Sequence, residues 1–124
     1  MIGEPFRVIE KKWGKEIWYA LTKDYCLKKI IINKGHRTSL QYHEKKEETN
    51  VIISGKATVI VQYLPTRGFL TYEASPGDFF HFKPGDRHRF EALEDLVMME
   101  ASTIHVDDVV RISDDYNREG TNEP

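Results

Sequence analysis

The sequence predicts an all-β domain, a barrel or sandwich of short strands, and three observations carry that prediction. The middle of the chain is a succession of short β-rich runs, the breaks between them have turn chemistry, and aromatic residues (2 Trp, 6 Tyr, 6 Phe) far outnumber the three methionines. That balance suits a rigid β core better than a plastic helical one.

The runs follow one another in order. Residues 15–21 and 25–32 open the series, the second ending in three isoleucines and stopping at Lys34-Gly35. Runs 38–43 and 48–53 come next, joined by the charged stretch 44–47 and closed by Ser54-Gly55-Lys56. Runs 57–64 and 69–73 flank Pro65-Thr66-Arg67-Gly68, while 78–82 follows Ser75-Pro76-Gly77-Asp78. Lys83-Pro84-Gly85-Asp86 then leads into 88–92, and 96–101 closes the series. At each break proline presets φ or glycine admits a positive φ, so the chain can reverse. One stretch, 106–116, has Val109, Val110 and Ile112 in a helix-compatible pattern; it is expected as a short C-terminal helix outside the barrel.

Length fits one domain, 1–124, and the formal net charge of −2 offers no positive field for nucleic acid or an anionic membrane. The expected partner is a small molecule. Cys26 is the single cysteine, which excludes an internal disulfide and a zinc–cysteine site and makes the reducing cytoplasm the simplest setting. No apolar run approaches a membrane span, and no signal-peptide stretch opens the chain. Between Arg7 and Arg37 nine basic residues face three acidic ones, which reads as a solvated strand face.

Strand alternation puts Ser39, Gln41 and His43 on one face of 38–43, and Glu48, Asn50 and Ile52 on one face of 48–53. If these two runs pair antiparallel, Gln41, His43 and Glu48 point into one cavity, and His88 reaches it from the opposite side. Two imidazoles, a carboxylate and an amide oxygen suit a divalent transition metal (Zn, Mn, Fe, Ni or Co) with positions left open for water or substrate.

The spacings narrow this. Gly35, Gln41-Tyr42-His43, Glu48 and Gly55 resemble the first motif of the cupin superfamily, with glutamine where many members have a histidine; Gly77, Lys83-Pro84-Gly85 and His88 resemble the second. The resemblance implies a double-stranded β-helix, the small jelly-roll barrel, with its metal inside. A narrower resemblance runs through Lys11-Lys12-Trp13-Gly14, both motifs, and Asp107-Asp108-Val109-Val110-Arg111 with Asp115-Tyr116-Asn117-Arg118. These look like the type II mannose-6-phosphate isomerase cupin, here as a free-standing copy. That family implies metal ligands at Gln41, His43, Glu48 and His88 and interconversion of mannose 6-phosphate and fructose 6-phosphate. The chain departs from the family pattern at Lys12, Lys83 and Asn117, none of which is a ligand position.

Arg111 and Arg118 are candidate phosphate contacts, because a guanidinium grips phosphate in a bidentate fork; exposed surface is the competing reading. Trp13 can line a sugar site but equally belongs to a core or dimer interface. His36 and His105 read as surface residues, and His81 falls with Phe79 and Lys83 on the outward face. An aldose–ketose isomerase needs a base that moves a proton between C1 and C2, for which a metal-bound hydroxide, Glu47 or a histidine stand as candidates. The rival readings are a metal-dependent cupin oxygenase, since two histidines and a carboxylate resemble the non-haem iron triad, and a non-catalytic sugar-binding module. Exposed edge strands favour a homodimer, with Trp13 and Trp18 available to its interface.

Overall fold

The computed structural model describes residues 2–121. They form eleven strands: β1 (Arg7–Lys11), β2 (Gly14–Leu21), β3 (Cys26–Ile32), β4 (Leu40–His43), β5 (Glu48–Ser54), β6 (Ala57–Gln62), β7 (Leu70–Ala74), β8 (Phe79–Phe82), β9 (Arg87–Ala92), β10 (Leu96–Ser102) and β11 (Val109–Ser113). They build two antiparallel sheets, one ordered β1-β2-β3-β10-β5-β8 and the other β11-β4-β9-β6-β7. This is the all-β jelly roll that the motifs imply. Among the described residues no helix is long and apolar enough to cross a membrane.

The inward faces divide along their length. On β3 the buried positions run from Ile32 and Ile30 to Lys28; on β5 from Ile52 to Asn50 and Glu48; on β10 from Leu96 and Met98 to Glu100. Register aligns the two halves, because Met98 sits opposite Ile30 and Ile52 while Glu100 sits opposite Lys28 and Asn50. One end of the barrel is therefore dry. Ile32, Ile52, Val59, Leu96 and Met98 meet there, each contributing about 1.5–3 kcal/mol by leaving water. The other end is lined with charge and encloses a cavity of about 140 Å³.

Two expectations are corrected. Residues 106–116 are not a helix: after turns at 104–108 the chain enters β11, pairing Val109, Val110 and Arg111 with His43, Tyr42 and Gln41 of β4. The β-branched side chains that fit a helical stripe fit a pleated edge strand better once β4 offers unpaired backbone. Runs 38–43 and 48–53 do not pair; β4 lies between β11 and β9, and β5 between β10 and β8. The chain before residue 14 is also structured, since β1 pairs with β2 through Arg7–Trp18 to Lys11–Gly14. Gly14 is needed at that corner: its φ is +152°, and a Cβ there would lie 1.9 Å from the Ile31 carbonyl oxygen.

Candidate metal centre

Gln41 and His88 are direct cross-strand partners on β4 and β9, so the second imidazole comes from the same sheet as the first. Glu48 is the residue that arrives from the opposite sheet. The turn before β9 sets His88 in place. Gly85 takes φ +90°, Asp86 accepts a hydrogen bond from the Lys83 amide at 2.8 Å and another from the Leu64 amide at 3.0 Å, and the Gly85 amide donates to the His43 carbonyl at 2.8 Å. The His88 ring then stacks on Phe82 with centroids 4.2 Å apart.

His43, Glu48 and His88 are all buried, and one donor atom from each lies within 4.8 Å of the others. His43 Nε2 is 3.3 Å and His88 Nε2 2.9 Å from Glu48 Oε1. The far ring nitrogens fix the tautomers. His43 Nδ1 faces Asp108 Oδ1 at 3.2 Å, and His88 Nδ1 faces the Asp86 carbonyl at 3.2 Å; an ionised carboxylate and a carbonyl only accept, so each Nδ1 carries the hydrogen. Burial holds the His43 imidazole below its ordinary pKa despite the neighbouring Glu48, which keeps its Nε2 as a lone pair at neutral pH. Electron-rich atoms thus face one another around Glu48 Oε1, which is buried and receives no hydrogen bond among the described residues. This donor set fits a divalent cation.

Gln41 reaches the cluster with its other end. Its Oε1 accepts from Ser39 Oγ at 2.6 Å, and its Nε2 stands 3.5 Å from His43 Nε2; a half-turn of the amide would present oxygen instead.

Sequence reasoning missed a chain of buried charges across the six-stranded sheet. Lys46 Nζ lies 3.6 Å from Glu48 and 3.0 Å from Glu100, Lys28 is 3.9 Å from Glu100 and 3.7 Å from Glu16, and Lys11 is 3.7 Å from Glu16. Burial opposes ionisation of Glu48, but the Lys46 ammonium and a hydrogen bond from Glu100 hold its carboxyl well below the usual range. Burial and the Glu48 charge push Glu100 up to about 8. At neutral pH Glu100 therefore keeps a proton. The signal was parity: Lys28 shares its face with Cys26, Ile30 and Ile32, and Glu100 shares its own with Leu96 and Met98. The solvated reading of the basic N-terminal segment fails for Lys11 and Lys28, whose side chains are 7% and 6% exposed.

Trp13, Arg111 and Arg118 are buried and line the same cavity, so the surface reading of the two arginines is overturned. Asp114 grips Arg118 through Nε and Nη2 at 2.9 and 3.0 Å. Trp13 and Trp18 are each buried within the chain itself, which removes them from any interface. Glu47 does not face the cavity; it holds exposed His81 at 2.7 Å on the outer surface. His105 is exposed, and His36 is half-buried against the Tyr116 hydroxyl at 2.8 Å.

Residues 29–106 match the family described as Cupin domain. A mannose-1-phosphate guanylyltransferase of Klebsiella pneumoniae is 30% identical over 115 residues, covering 90% of this chain and 24% of the relative. The xanthan biosynthesis protein XanB of Xanthomonas campestris pv. campestris (strain B100) is 26% identical over 117 residues, with the same coverage of 90% and 24%. The chain spans about a quarter of the curated relatives it matches. Among solved structures, the capsular polysaccharide assembling protein CapF from Staphylococcus aureus superposes with a TM-score of 0.78 at 18% identity over 90% of this chain and 32% of its own. Oxalate decarboxylase from Bacillus subtilis gives 0.75 at 16% identity, over 86% of this chain and 30% of its own. At these identities the structural likeness establishes the fold alone.

Proposed function

Because the chain belongs to the cupin domain family, we propose that it is a metal-dependent aldose–ketose isomerase acting on a sugar phosphate, with mannose 6-phosphate and fructose 6-phosphate as the first pair to test. The observation that carries this reading is one cavity holding both the His43–Glu48–His88 cluster and the buried guanidiniums of Arg111 and Arg118. His43, Glu48 and His88, with Gln41 after rotation of its amide, would hold the cation. When bound, such a cation supplies Lewis-acid stabilisation of negative charge developing on the sugar oxygens.

The protein's own groups do the rest. Asp108 and the Asp86 carbonyl orient the two imidazoles. Arg111 and Arg118 orient the phosphate, and Trp13 closes the wall beside them. Asn50 Nδ2 is buried on the cavity wall with no hydrogen-bond partner among the described residues; a ligand hydroxyl would satisfy it. The proton that leaves C2 is returned at C1, and the base that carries it must face the cavity. That condition removes Glu47, which holds His81 on the outer surface.

A coupled assay with mannose 6-phosphate and each of Zn, Mn, Fe, Ni and Co tests the reading, with fructose 6-phosphate formation expected. No conversion with any of the five metals would overturn it. We also propose a homodimer, checked by measuring mass in solution.

A further inference from the structure

The cavity carries a second polar group of residues, at the edge strands β1 and β11, that the proposed metal chemistry does not use. Lys11 closes β1 with its side chain inside the barrel. Its carboxylate partner among the described ion pairs is Glu16, at 3.7 Å, and that carboxylate is shared: Lys28 stands 3.7 Å from it and Trp18 Nε1 donates to it at 3.1 Å. The Lys28 ammonium also lies 4.0 Å from the centre of the Trp18 ring. The guanidiniums of Arg118, which Asp114 holds through Nε and Nη2, and of Arg111 line the cavity with Lys11 and act on it as like charges.

An ammonium taken out of water costs several kcal/mol unless its charge is matched, and crowding it with further cations adds to that cost. Lys11 is poorly matched. Burial first, then the charges of Arg118, Arg111 and Lys28, hold it below its ordinary pKa in spite of Glu16. A wall of this kind becomes favourable when an anion of more than one charge enters and takes hydrogen bonds from several cations at once.

We propose that Lys11, with Lys28 beside it, completes the seat for the phosphate group assigned above to Arg111 and Arg118, so that β1 is part of the recognition site. This deepens the sugar-phosphate reading and rests on it for the ligand's other end. It adds a determinant lying outside residues 29–106, the stretch shared with the family.

The seat is testable without metal. Full-length chain treated with chelator is titrated calorimetrically with inorganic phosphate, mannose 6-phosphate and mannose. Binding of the first two and at least tenfold weaker binding of mannose is expected. Lys11→Met should weaken both phosphate ligands tenfold or more, and Lys11→Arg should restore affinity to within about threefold of the parent. If Lys11→Met does not fold, the Lys11 13Cε resonance of the 13C-lysine-labelled parent replaces it and should shift on addition of phosphate. Failure of the parent to bind phosphate, unchanged affinity in Lys11→Met, or an unmoved Lys11 resonance overturns the proposal. The two readings fail separately: phosphate binding without sugar isomerisation removes the isomerase and leaves the seat, whereas isomerisation with Lys11→Met affinity intact removes the seat and leaves the isomerase.

Discussion

The two polar regions of the cavity differ in where their residues come from. His43, Glu48, His88 and Gln41 all fall inside residues 29–106, the stretch that matches the cupin family. Lys11, Trp13, Glu16, Arg111 and Arg118 fall outside it, on the terminal strands and the segment after β11. The first region is a set of lone pairs gathered from two facing sheets; the second is a set of cations supplied by the strands that flank the barrel. Ile52, Val59 and Phe82 stand on β5, β6 and β8 rather than on β1 or β11, although Trp13 beside β1 joins the same core cluster. The difference teaches that the residues proposed to hold metal and those proposed to choose the ligand come from different parts of the chain.

Breaking the metal side should have the largest effect. His88→Ala or Glu48→Gln is expected to lower affinity for Mn or Zn at least a hundredfold, read by metal competition, and to abolish turnover. Asp108→Asn should come next. It keeps the side-chain shape while weakening the hold on His43 Nδ1, and losing such an outer carboxylate costs about 10–100-fold in metal affinity. Asp108 also accepts from the Lys45 and Lys46 amides at 2.7 and 3.1 Å, so the ring resonances of His43 should broaden in the metal-free variant.

The buried charges sharpen the comparison through stability. Lys46→Met removes the cation that Glu48 and Glu100 share and leaves Lys28, 3.9 Å from Glu100, as the remaining ammonium; urea unfolding should report a loss of about 3–5 kcal/mol. Glu100 adds a pH dependence. Its carboxyl is held near 8 in the folded chain and titrates near 4.5 when unfolded, so across that window the unfolded state has given up a proton the native state retains. Stability of the metal-free protein should therefore fall as pH rises from 4.5 to 8, by on the order of a few kcal/mol, and Glu100→Gln should flatten that slope. The smallest effect is expected outside the barrel. Glu47→Gln or His81→Ala disturbs an exposed pair and should change turnover less than twofold.

Much of this was legible in the sequence. The glycine and proline breaks located most strands, and spacing brought Gln41, His43, Glu48 and His88 together as candidates. Partners were not legible, because alternation fixes which face a residue takes and leaves open which strand lies beside it. Barrel closure sends β4 and β5 to opposite sheets although a short turn joins them. The segment 106–116 was ambiguous for a related reason: three β-branched residues satisfy either period until β4 offers a partner. Lys11, Lys28 and Lys46 were hidden by their type, since charge normally marks solvent.

The position of β1 has a dynamic consequence. Among the described residues its strand partner is β2 alone, and edge strands open to solvent at a lower free-energy cost than interior ones. Breathing of this one strand would carry Lys11 away while leaving Glu48, anchored between β10 and β8, undisturbed. On gentle warming, discrimination between phosphorylated and plain sugars should therefore decay before the cation is released, and backbone amides of β1 should exchange with deuterium ahead of those in β5.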